Sequence, residues 1–163
     1  MSKSFRPKIF VALRCLLGLL LLWAAVSKLA NPTEFLGSIY AYELPLPRAV
    51  LQSAAVVLPW MELLCGLLLL AGFWPQTALV SVTGMMLVFV LATGQAWLRG
   101  LDIACGCFNL NIFGLQEGMP GLVRFLESVA FAFFRNLLLT AVAAYLLVRE
   151  ARQAVFSRAI AGE

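Results

Sequence analysis

The feature that most constrains this chain is a run without charge: between Glu62 and Arg99 there is no Asp, Glu, Lys or Arg. A bilayer core needs about 20 mostly apolar residues per helical crossing, so the run holds most of one span and all of another. The remainder is built in the same way. Of 163 residues, 63% are hydrophobic and 12% are charged, about half the charge of an ordinary soluble domain. No separate polar region is large enough to form a soluble core. The pattern predicts an all-α fold, an integral membrane four-helix transmembrane bundle in one domain over residues 1–163, with spans at about 9–30, 49–73, 76–98 and 122–148.

The uncharged heart of the first span, Cys15 to Ser27, is short. It reaches full length if Arg14 and Lys28 act as snorkelling ends, with their stems in lipid and their charges toward the interface. A basic start, an apolar middle and small residues near Ala24–Ser27 also fit a signal peptide, but the later spans favour a polytopic chain. Asn31–Arg48 reads as a loop or surface-lying segment, punctuated by Pro32, Pro45 and Pro47, with Phe35, Tyr40 and Tyr42 suited to an interface. Gly72-Phe-Trp-Pro75 ends the second span. Arg99–Gly121 is a polar loop closed by Pro120-Gly121.

Charge sets the expected orientation. Lys and Arg flank the spans that face the cytoplasm. Seven lie toward the termini (Lys3, Arg6, Lys8, Arg14, Arg149, Arg152 and Arg158), against Lys28, Arg48, Arg99 and Arg124 on the other side. Both termini are therefore expected in the cytoplasm of a bacterial inner membrane, with the two longer loops in the periplasm, where disulfides persist. The expected surroundings are membrane lipid. Nucleic acid is not an expected partner, because the basic residues do not gather with polar and aromatic ones on one exposed face.

Histidine is absent, which removes His-held haem, His-built zinc sites and His as a general base. The strongest chemical signal is Asp102-Ile-Ala-Cys105-Gly-Cys107-Phe108. Two thiols separated by one glycine, in a polar loop on the oxidising side, are placed to form a tight and readily reduced disulfide. Cys105 and Cys107 are the candidate exchanging pair; a stapled loop or two inert thiols is the plainer alternative. No metal is expected there, since neither a His nor a further loop Cys could complete the ligand set. Cys15 and Cys65, inside spans, read as small apolar residues.

Glu62 is the most informative intramembrane residue, because a carboxylate in a span is costly and normally faces the bundle interior with a partner. Glu62 lies 13 residues after Ala49, and Arg135 lies 13 after Leu122 on a span running the same way. At 1.5 Å per residue both sit about 20 Å along. Arg135 or Arg14 is thus the expected partner, in a polar site near a quinone or proton path or in an ion pair that only fixes packing. Lys28 reads as a snorkelling lysine, with Glu34 or the Asp102 loop as alternative neighbours.

Several of these segments resemble a known family. Arg14-Cys-Leu-Leu-Gly18, Ala25-Val-Ser-Lys28-Leu29, Asn31-Pro32 and Phe35 resemble the opening of DoxX-like membrane proteins. Pro59-Trp-Met-Glu62-Leu-Leu-Cys-Gly66 is similar to their second-helix signature, the Cys105-Gly-Cys107-Phe108 stretch to the MauE branch, and Arg135-Asn136 to the start of its last helix. The resemblance implies a four-helix inner-membrane protein tied to thiol–disulfide redox. The MauE branch implies methylamine utilisation, with a thioredoxin-like partner that forms or maintains the disulfides of methylamine dehydrogenase. The DoxX side implies sulfur or quinone electron transfer. Two expectations follow: a redox component passing electrons between a periplasmic thioredoxin-like partner and the membrane through Cys105 and Cys107, or a non-catalytic scaffold that docks such a partner. A quinone is the candidate cofactor, although no quinone motif stands out; neither metal nor haem is expected.

Overall fold

The computed structural model describes residues 5–101 and 128–161. Among the described residues there are five helices and no strand: α1 (Phe5–Ala30), α2 (Pro32–Ala41), α3 (Arg48–Ala71), α4 (Pro75–Leu98) and α5 (Val129–Ala161). Four of them are long and apolar enough to cross a membrane, over Lys8–Ala30, Arg48–Ala71, Pro75–Leu98 and Val129–Arg152. The helical membrane bundle expected from the sequence is the architecture found. The stretch 122–127 of the expected fourth span lies outside the described residues.

Leu, Ala and Val dominate the spans, and large apolar side chains such as Leu19, Val56, Leu91 and Leu138 point outward. A helix that is apolar on every face suits lipid on one side and packing on the other. The interior is correspondingly thin, built on Leu17, Leu21, Leu69, Leu79, Val82 and Leu146. Several hydroxyls inside the spans bond to their own helices. Thr83 donates to the Leu79 carbonyl, Thr93 to Phe89 and Thr140 to Asn136, each at 2.7 Å. This local bonding spares lipid-buried groups from needing a partner on another helix.

The second span is shorter than the sequence suggested, ending at Ala71 rather than residue 73. Gly72 takes a left-handed conformation (φ 73°) and donates its amide to the Leu68 carbonyl. That is the αL cap for which glycine carries no Cβ penalty. Trp74, also left-handed, and Pro75 then open α4.

The helices associate as two close pairs, α1 with α3 and α4 with α5. Glycine makes the first pair close: a Cβ on Gly18 would stand 3.1 Å from the Gly66 carbonyl, and one on Gly66 would stand 3.0 Å from the Gly18 carbonyl. Small residues at a crossing let backbones approach, which is how helices gain contact within lipid. The pairs join mainly through α3 and α4, while α1 and α5 meet sparsely. Arg149 of α5 lies 4.9 Å over the Phe10 ring of α1, so the outer ends of the first and last helices share one end of the bundle.

The 31–48 segment departs from a simple loop. Pro32 pushes Asn31 out of helical conformation (φ −131°, ψ 69°) and starts α2 at once. Phe35 and Ile39 of α2 pack on Leu51 and Ala55 in the first half of α3. Helix α1 therefore stops partway along α3, and α2 covers what α1 leaves bare.

Candidate functional site: a polar centre inside the bundle

The break between α1 and α2 decides where Lys28 goes. Glu62 lies 14 residues into α3, about 21 Å from its start, yet it bonds Lys28, two residues from the end of α1. Both side chains are almost wholly buried, with 2% and 1% of their surface accessible. The Lys28 ammonium also sits 5.2 Å from the centre of the Phe35 ring on α2 and 5.0 Å from that of Phe89 on α4. Aromatic faces carry negative potential, so the two rings support the cation where water is excluded.

This corrects the reading of Lys28 as a snorkelling residue. Its stem does not run to an interface, because α2 and Phe35 close over it. The expectation that Glu62 reaches Arg14 is also corrected. Arg14 sits beside Gly72, its Nη2 3.0 Å from where a Cβ on that glycine would stand, ten residues beyond Glu62 on α3. Its guanidinium thus lies at the carboxyl end of that helix, where a cation complements the helix dipole.

Arg135 does share the centre. Glu62, Lys28, Arg135 and Asn136 line one cavity of about 30 Å³, walled by apolar side chains of α1, α4 and α5. That volume admits roughly two waters or the tip of a larger molecule. Asn136 is 3% exposed, and its Nδ2 has no hydrogen-bond partner among the described residues. The sequence reading assigned Asn136 no role. An amide inside an otherwise apolar helix, next to an arginine, was the signal available. Phe89 was equally silent, since an aromatic residue in a span reads as packing. Pro59, buried one turn before Glu62, removes the amide that would bond the Ala55 carbonyl.

Cys65 is buried among the core leucines and Cys15 is partly buried, in keeping with small apolar roles. Asp102, Cys105 and Cys107 lie outside the described residues. Among the described residues no cluster of His, Cys, Asp or Glu could hold a metal ion.

The profile of the family described as methylamine utilisation protein MauE matches residues 6–149. The chain belongs to the MauE family. A methylamine utilization protein MauE from Paracoccus denitrificans is 34% identical over 139 residues, covering 85% of this chain and 68% of its own length. Its namesake from Methylophilus methylotrophus is 32% identical over 129 residues, covering 78% and 67%. No solved structure matches the chain. With its four apolar helices, this MauE-family chain is a multi-pass membrane protein.

Proposed function

We propose that this MauE-family chain is a thiol–disulfide redox component of a bacterial inner membrane, with both termini cytoplasmic, serving methylamine utilisation. Cys105 and Cys107 exchange with a thioredoxin-like partner in the periplasm, which in turn acts on the disulfides of methylamine dehydrogenase. In the oxidising direction, a partner thiolate attacks one sulfur of the Cys105–Cys107 disulfide and the other sulfur leaves as thiolate. A second partner thiol then resolves the mixed disulfide. Two electrons and two protons have moved onto the chain, and an oxidant dissolved in the membrane, of the quinone class, removes them.

The observation that carries this reading is where the chain leaves and re-enters the bundle. Leu101, after α4, and Val129, at the start of α5, join one cluster around Tyr42 at the end of α2. In the sequence the Cys-Gly-Cys stretch falls between those two anchors, and the anchors themselves sit at the bundle end where α2 covers the buried Lys28–Glu62 pair. The anchors are held further by Arg99, which donates to the Glu43 carboxylate at 2.5 Å.

The test is trapping. A Cys107→Ser or Cys105→Ser variant should insert normally and accumulate a mixed disulfide with a thioredoxin-like protein, seen as a reducible adduct. The double serine variant should lose activity and trap nothing. Full activity in the double variant would overturn the exchange role in favour of a scaffold that only docks the partner.

A further inference from the structure

The cavity beneath the Lys28–Glu62 pair has the build of a binding site for a molecule that arrives through the lipid. Four observations meet there. The walls are apolar, formed by residues such as Leu17, Leu21 and Leu139. One end is polar, and the Asn136 amide at that end is buried with Nδ2 turned to no protein acceptor among the described residues. A buried amide N–H without an acceptor costs about 1–3 kcal/mol, so an incoming oxygen that accepts it is favoured. Finally, the cavity lies where α1 faces α5, the sparsely packed seam of the bundle, with half-buried Leu20 and Leu139 flanking it.

From this geometry we infer that the α1–α5 seam binds the carbonyl tip of a membrane-dissolved molecule, a quinone-class compound, with Asn136 as its hydrogen-bond donor. The chemistry of the site selects such a ligand. Lys28 is bonded to Glu62, while Arg135 and Asn136 line the same end of the cavity, so that end is rich in donor groups and suits an acceptor oxygen. The apolar walls suit a lipid-soluble body. At about 30 Å³ the cavity takes the tip of such a molecule, with the body held in the seam. The inference deepens the redox reading above by giving the membrane oxidant a place, and it can fail while that reading stands.

The experiment is photolabelling of the full chain in nanodiscs of defined phospholipid, using an azidoquinone probe and mapping the labelled peptides. Label is expected on α1 between Leu17 and Lys28 and on α5 between Arg135 and Leu139, displaced by decylubiquinone and unaffected by added phosphatidylethanolamine. Asn136→Leu, close in volume, should weaken decylubiquinone competition about tenfold, the worth of one hydrogen bond made by a buried donor. Leu20→Trp, which fills the seam while leaving Asn136 in place, should abolish labelling in protein that remains monodisperse. Cys105→Ser/Cys107→Ser should label like the wild type, which separates this site from the exchange reaction. Label elsewhere, equal displacement by the phospholipid, or unchanged competition in both the Asn136 and Leu20 variants would overturn the assignment.

Discussion

Two ion pairs in this molecule share a chemistry and differ in everything else. Lys28–Glu62 is sealed inside the bundle, whereas Arg99–Glu43 joins the end of α4 to the end of α2 with 45% and 59% of its side chains exposed. Exposed pairs contribute about 0–1 kcal/mol, because water screens them and ordering two long side chains costs entropy. A buried pair gains more from attraction but first loses hydration. Its weight therefore shows when one partner is removed and the other is left charged in an apolar interior. The surface pair pins a connection; the buried pair dictates how three helices and α2 must meet.

Replacing Lys28 with Met removes the buried cation that bonds the Glu62 carboxylate and should cost about 3–5 kcal/mol. Unfolding titrations from a mild detergent into a denaturing one read this directly. A loss under about 1 kcal/mol would place the pair in the same class as the surface one. Next in size is Gly66→Ala. Its Cβ would stand 3.0 Å from the Gly18 carbonyl and equally near Leu22, so α1 and α3 must separate. Overpacking of this kind costs about 1–3 kcal/mol, read by the same titration. An unchanged midpoint would mean that the crossing is looser than described. Smallest is Glu43→Gln, expected to cost less than about 1 kcal/mol and to lose its effect as salt rises. A large, salt-independent loss would show that the connection between α2 and α4 carries more than a screened pair.

The same contrast explains what could be read in the sequence. The spans were legible because lipid imposes a length and a composition on each, and uncharged runs such as Glu62 to Arg99 advertise both. That Glu62 must face inward was legible for the same reason. That Lys28 bonds it was not. Counting residues from the span ends treats α1 as a full crossing, which puts Lys28 at an interface and leaves Arg135 or Arg14 as cations at the right depth. The structure ends α1 at Ala30, as expected, but lays α2 along α3, and the register of α1 against α3 brings Lys28 to Glu62. Register between helices depends on where Gly18 meets Gly66, and hydrophobic periodicity does not encode that. Asn136 escaped because its meaning lies in a cavity shared by four helices.

The central claim is that Lys28 and Glu62 act as one unit at the heart of the bundle. A double-mutant cycle with Lys28→Met, Glu62→Leu and the combined variant tests it most directly, with stability measured in one lipid or detergent composition. The account predicts that each single change is severe and that the combined variant recovers much of the loss, since neither member of the pair is left charged without the other, with a coupling of at least about 2 kcal/mol. Additivity within about 0.5 kcal/mol would contradict it, because residues that do not interact add in that way.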